Sequence, residues 1–194
     1  MRTSLPFEKG FTLIELMVTL ALAAILMTVA VPSFTAYQRN SELTSFANNL
    51  LASVNAAKGE AMKRGMNAMM VPAVGTTWDG GWVVFVDVNR NDTYDASTDI
   101  TIFTSEAVPA YLTITGNGTT AETPPYVKYD ASGYSKTKTG GFDASTLEIK
   151  RNDATGTAQW SQVRRLKIAS TGRARICTPK SSTDTDCLAS STAF

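Results

Sequence analysis

The chain reads as an α+β protein, one long N-terminal helix packed on a mostly antiparallel β-sheet domain. Two observations carry this. Apolar residues run almost unbroken from Phe11 to Val31 and then recur at steps of three and four, at Leu43, Phe46, Ala47, Leu50, Leu51, Val54, Ala57, Ala61 and Met62, which is the spacing of one helical face. Beyond Gly65 the pattern changes to short β-rich runs separated by Gly, Pro, Asn, Asp and Ser.

The first thirty residues are the most specific part. A short basic leader ends at Gly10, and Phe11-Thr12-Leu13-Ile14-Glu15-Leu16 opens the apolar run. About 20 apolar residues span a bilayer as a helix, and a carboxylate inside such a span costs about 2.5 to 3.5 kcal/mol, so Glu15 calls for a neutralising partner. Cleavage after Gly10 would supply one, because Phe11 would then carry a free α-amine four residues from a carboxylate. Two other readings stay open. An ordinary secretory signal would be cut after the apolar region, at Thr28-Val29-Ala30, discarding Glu15 and releasing a soluble secreted binding protein. An uncut anchor would leave Glu15 solvated near the interface.

The helix is expected from about Thr12 to Arg64, kinked near Pro32 and stopped by Gly65, roughly 80 Å at 1.5 Å per residue. Asn40, Ser41, Asn48, Asn49, Asn55, Glu60 and Lys63 mark its polar face. Strands are expected at Trp82 to Val88, Ile100 to Thr104, Tyr111 to Thr115, Tyr126 to Tyr129, Leu147 to Arg151, Arg164 to Ala169 and Arg173 to Cys177, with turns at Asp79-Gly80-Gly81, Gly116-Asn117-Gly118, Thr139-Gly140-Gly141 and Asn152 to Gly156. The Ser/Thr-rich tail after Cys187 reads as loosely ordered. The organisation is therefore a leader (1–10), a membrane-spanning or filament-core helix (11–31), its amphipathic continuation (32–65) and a β-rich globular domain (66–194).

Lys9-Gly10-Phe11-Thr12-Leu13-Ile14-Glu15-Leu16 resembles, at every position, the class III signal of type IV prepilins and pseudopilins. The resemblance implies that a prepilin peptidase cuts between Gly10 and Phe11 and methylates the new amine. It also implies that Glu15 pairs with the N-terminal amine of a neighbouring subunit during assembly. The expected location is the inner membrane, single-pass with a periplasmic domain, and then a pilus or pseudopilus. Within these families the chain is similar to the GspH/FimT group through Gly81-Trp82-Val83-Val84-Phe85-Val86-Asp87, Asn89 and Asn91, and Gly172-Arg173-Ala174-Arg175. That implies a minor type IV pilin acting in pilus assembly. The alternative is a minor pseudopilin of a type II secretion system, with other pilin or pseudopilin subunits as partners either way.

The two cysteines, Cys177 and Cys187, read as a disulfide closing a small loop in an exported protein. Asp87 to Asp95 places oxygen ligands at alternating positions as a calcium loop does, but Asp92 stands where an EF-hand needs Gly and Thr98 where it needs Glu, so an Asx-rich turn is expected and no metal. With no histidine in the chain and both cysteines paired, the common nucleophile and base arrangements are missing. Neither an enzyme nor a cofactor is expected.

The overall net charge is +1, yet residues 151–180 hold Arg151, Arg164, Arg165, Lys167, Arg173, Arg175 and Lys180 against Asp153, a local net charge of +6. Arg173 and Arg175 would share one strand face about 7 Å apart, a fork suited to phosphates. The bland reading is a solvated edge strand. Gly172-Arg173-Ala174-Arg175 is similar to the G-R-x-R motif of FimT-type pilins, and this implies double-stranded DNA as a further ligand, bound by Arg173, Arg175, Arg164, Arg165, Lys167 and Lys180. Trp160 is the one aromatic residue in that stretch.

Overall fold

The computed structural model describes residues 10–154 and 156–190; the leader ahead of Gly10 lies outside them. The chain divides into two compact units between Asn40 and Ser41. Helix α1 (Leu13–Arg64) is assigned as one α-helix of 52 residues with Pro32 inside it. Thr12 caps its start, its Oγ1 accepting the Glu15 N–H at 3.3 Å, so Glu15 occupies the third helical position, where a carboxylate suits the helix dipole. At the other end Gly65 turns the chain at φ 67°, and the Met66 N–H closes the last turn on the Ala61 carbonyl at 3.2 Å.

In the N-terminal unit the large apolar side chains of α1 stand exposed, from Leu13 (77%) and Ile14 (69%) to Phe34 (68%) and Tyr37 (71%). This stretch is long and apolar enough to cross a membrane. Its hydroxyls are satisfied within the helix: Thr19 Oγ1 donates to the Leu16 carbonyl at 2.9 Å and Thr28 Oγ1 to Ile25 at 2.7 Å, the arrangement hydrocarbon requires.

In the second unit Leu43, Ala47, Leu50, Val54, Ala57 and Ala61 are fully buried, and their steps of four and three are the stripe expected. Met62 departs from it and is exposed. The β domain has eight strands: β1 (Ala68–Pro72), β2 (Trp82–Val86), β3 (Ile100–Thr104), β4 (Leu112–Asn117), β5 (Val127–Tyr129), β6 (Ser145–Arg151), β7 (Val163–Ile168) and β8 (Ala174–Cys177). They form two sheets, in the orders β3-β2-β1-β5 and β4-β6-β7-β8, and every pairing is antiparallel.

Three expectations are corrected. The single sheet is two. Strand β1 is an addition to the expected strands, its sequence Ala68-Met69-Met70-Val71-Pro72 carrying a single β-branched residue and ending in proline. Strand β4 continues through Gly116 to Asn117, where the sequence reads as a turn, and the short segment Trp78–Gly80 is a 3-10 turn.

One core joins the buried stripe of α1 to Trp82, Val84 and Val86 of β2, Leu147 and Ile149 of β6, and Leu166 and Ile168 of β7. Trp82 is fixed inside it by a hydrogen bond from Nε1 to Ser53 Oγ at 2.8 Å, and Ser53 donates in turn to the Asn49 carbonyl at 2.8 Å. The alternate residues of β2, Val83 and Phe85, face the other way and form a second cluster with Met69 and Tyr126. With both faces of β2 covered, the strand is buried throughout.

Candidate functional site

Two regions concentrate the functional residues expected from the sequence. The first is the start of α1. Phe11 is 81% exposed, and Gly10 to Thr12 stand outside the helix, which begins at Leu13. The expected processing point and Glu15 are thus separated by the capped first turn at Thr12.

The second is the outer face of the β4-β6-β7-β8 sheet. Cross-strand register sets Lys167 opposite both Thr146 and Arg175, and Arg165 opposite both Glu148 and Cys177. Arg165 Nε donates to Glu148 Oε2 at 2.6 Å. Cys177 is bonded to Cys187, and this lays the following residues across the same face. There they meet a row of donors. Arg175 Nη2 donates to the Asp186 carbonyl at 2.7 Å, Arg165 Nη1 to that of Cys187, and Asn117 Nδ2 to that of Ala189. Lys167 Nζ donates to the carbonyls of Leu188 at 3.3 Å and Ser190 at 3.1 Å. Five consecutive carbonyls, Asp186 to Ser190, are therefore held by four side chains. The tail expected to be loose is strapped down through Ser190.

This changes the reading of the basic segment. Lys167 is 0% and Arg165 4% exposed, so neither offers its charge at the surface, and of the expected fork Arg173 is exposed ahead of β8 while Arg175 is half-buried against the strap. Burial, with Arg175 and Arg165 close by, holds the Lys167 ammonium below the usual lysine range. Arg164 is turned to the carbonyls of Ser161 (2.8 Å) and Val163 (2.9 Å) and to Thr44 Oγ1 of α1 at 3.2 Å, and desolvation lowers its pKa too. Arg151 pairs in two-pronged fashion with Asp153, at 2.9 and 2.8 Å. Arg173 and Lys180 are the two expected residues left exposed. Sequence reading missed Asn117 and the strap itself; no local signal marks a distant asparagine as the donor to a tail.

The glycine of the Gly172-Arg173-Ala174-Arg175 run has a packing role. Gly172 sits at φ 77°, and a Cβ there would overlap the Gly133 carbonyl oxygen. From the other side Lys58 Nζ of α1 donates to the Gly172 carbonyl at 3.1 Å. In the Asp87 to Asp99 loop, carboxylate oxygens are spent on backbone amides: Asp87 accepts from Asn91 (3.1 Å) and Asp92 (3.0 Å), and Asp99 from Val88 (3.0 Å) and Asp95 (2.9 Å). That is the hydrogen bonding of an Asx-rich turn.

A family profile described as type II transport protein GspH matches residues 47–172. The chain belongs to the GspH family. A second profile, the prokaryotic N-terminal methylation motif, matches residues 6–31. The architecture is similar to the crystal structure of the type IV minor pilin FimU of Pseudomonas aeruginosa, with a TM-score of 0.53 at 20% identity, covering 75% of this chain and 98% of that one. In sequence the chain is similar to the pilin-like protein PilA1 of Thermus thermophilus, 34% identical over 88 residues, which cover 45% of this chain and 54% of PilA1. It is also similar to the type IV major pilin protein PilA of Myxococcus xanthus, 42% identical over 53 residues, covering 27% of this chain and 24% of PilA. These alignments span about half and a quarter of the two relatives' lengths. The methylation-motif match and the GspH match together take in both the anchor-like helix and the β domain, as expected of a pilin or pseudopilin subunit.

Proposed function

We propose that the chain is a minor type IV pilin, cut by a prepilin peptidase between Gly10 and Phe11 and methylated on Phe11. It is held in the inner membrane by residues 11–31 before it joins a filament of other pilins. Its work is assembly and not catalysis. The observation that carries this reading is the contrast along α1: its apolar residues up to Tyr37 are exposed, whereas the stripe from Leu43 onward is buried in the domain. An exposed apolar helix with a carboxylate at its third position is suited to a filament core, where neighbouring helices cover it and a neighbour's amine meets Glu15. A pseudopilin of a type II secretion system is the second reading, favoured by the description of the matched family. The sequence similarity to a pilin-like protein and to a type IV major pilin favours the pilus.

Duplex DNA remains the proposed further ligand, now with a smaller footprint. Arg173 and Lys180 are the exposed cations of the basic segment that face solvent for phosphates. The test of assembly is Glu15→Val: the protein stays in the membrane fraction but its recovery in sheared filaments falls. Normal recovery of Glu15→Val would show that the charge pair is dispensable. Whether the filament is a pilus or a pseudopilus follows from deleting the gene and measuring surface pili and exoprotein secretion side by side.

A further inference from the structure

Away from the strap, the chain between Tyr134 and Phe142 forms a small hairpin. Isolated bridges join Tyr129 to Ser135 and Lys136 to Phe142. The tip is closed by Thr137 N–H to the Gly141 carbonyl at 2.8 Å and Gly140 N–H to the Thr137 carbonyl at 3.0 Å. Two aromatic rings stand outward on it. Phe142 is 64% and Tyr134 41% exposed, and they meet edge to face with centroids 5.5 Å apart. Such exposure contrasts with Phe85 of β2, which is fully buried.

Cations accompany the rings. Lys136 Nζ lies 3.6 Å from the Phe142 centroid, and Lys138 Nζ lies 4.8 Å from that of Tyr126. Asp130 approaches Lys136 at 3.8 Å, while the nearby Asp143 is buried and accepts from Thr119 Oγ1 at 2.8 Å. The hairpin also adjoins the Gly172 turn: Ser135 N–H donates to the Ser170 carbonyl at 3.2 Å, and the Gly133 carbonyl abuts Gly172. Exposed Arg173 follows directly in the chain. The fold thus brings exposed aromatic rings beside the Gly172–Arg173 turn of the basic segment, whose own sequence holds Trp160 as its one aromatic residue.

We propose that the Tyr134 to Phe142 hairpin is a stacking platform for unpaired bases of single-stranded DNA, with Lys136, Lys138 and Arg173 on the flanking phosphates. This rests on the nucleic-acid reading above and narrows its ligand. An open ring beside ammonium groups matches a polyanion whose repeating unit also has a π face, and base stacking on such rings is tolerant of sequence. A duplex keeps its bases stacked inside and offers the rings nothing but its backbone. Lys136 is held over Phe142 by a cation–π contact, which is weak at an exposed site. An arriving base takes its place on the ring while the ammonium moves to a phosphate.

The experiment uses the full chain in detergent micelles, with fluorescein-labelled oligothymidine of twelve nucleotides and a twelve-base-pair duplex as probes, read by anisotropy. The single strand binds more tightly than the duplex. Phe142→Ala weakens oligothymidine binding about tenfold and leaves duplex binding unchanged, and a Phe142→Trp chain keeps binding and shows indole quenching on addition of oligothymidine. Oligothymidine affinity unmoved by Phe142→Ala, no preference over the duplex, or an unquenched indole in Phe142→Trp overturns the platform. Arg173→Gln separates the two readings. Duplex binding that depends on Arg173, with no effect of Phe142, leaves the earlier reading standing alone; oligothymidine binding through Phe142 without duplex binding leaves the platform and removes the duplex.

Discussion

Lys167 and Ser190 lie 23 positions apart in the chain, yet the buried ammonium of one reaches the carbonyl of the other at 3.1 Å. The same ammonium holds Leu188 at 3.3 Å. A lysine in a strand is here a fastener for the chain's own tail.

Replacing Lys167 with Met keeps the length of the side chain and removes the donor from both carbonyls. The expected loss is about 1 to 3 kcal/mol, the cost of leaving buried polar groups unmatched, and it falls mainly on the strap. Hydrogen exchange followed by mass spectrometry is the measurement. Faster exchange confined to residues 184–190 fits; unchanged protection there shows that the disulfide and the arginines suffice.

Gly172 and Arg173 are adjacent but have separable roles. Gly172→Ala forces a Cβ into the Gly133 carbonyl at a positive φ, at a cost of roughly 1 to 2 kcal/mol for the backbone and about 1 to 3 more for overpacking. Arg173→Gln, at an exposed position, leaves the folding stability within about 0.5 kcal/mol of the parent while lowering affinity for duplex DNA. Thermal denaturation of both variants alongside DNA titration checks this. Equal destabilisation by the two substitutions contradicts it.

Intact-mass analysis of the membrane-extracted protein is expected to find Phe11 as the first residue, with one methyl group added. Recovery of Met1, or of a terminus beyond Ala30, removes the prepilin reading. The second outcome supports the secreted soluble protein.

The Asp184 carboxylate accepts from the backbone amide of Lys180 at 2.8 Å and from that of Asp186 at 3.1 Å. These bonds favour its charged form, the Lys180 amide foremost, and hold its pKa below the usual aspartate range. A carboxylate depressed on folding adds stability above its unfolded value and loses it as pH falls through the folded one. The Lys180 and Asp186 amide resonances should therefore shift together as pH falls below the usual aspartate range. Asp184→Asn abolishes that step. Independent shifts of the two amides in the parent chain would show that they do not share this acceptor.

The helix was legible because its evidence is local. The spacing of Leu43, Ala47, Leu50, Val54, Ala57 and Ala61 is contained in the sequence around it, and so is the Gly65 stop. Most strands were legible for the same reason. Strand β1 was not, since Ala and Met favour helices and its pairing with Trp82–Val86 and Val127–Tyr129 is decided by distant residues. The split into two sheets is likewise a matter of pairing, which strand patterns do not encode. The cysteine pair was legible from number and compartment. The burial of Arg165 and Lys167 was not legible, because a run of cations with a local charge of +6 reads as solvated surface. A covering segment that itself reads as unstructured, Asp184 to Ser190, reverses that meaning.

The tight approach of Gly172 to Gly133 bears on how the G-R-x-R pattern is used to sort relatives. Its first position answers to a steric demand of the β7–β8 hairpin and is met whether or not anything is bound. Relatives gathered by that glycine are gathered by shape. The proposed nucleic-acid contacts fall on positions without that demand: the arginine at 173 and the two rings at 134 and 142.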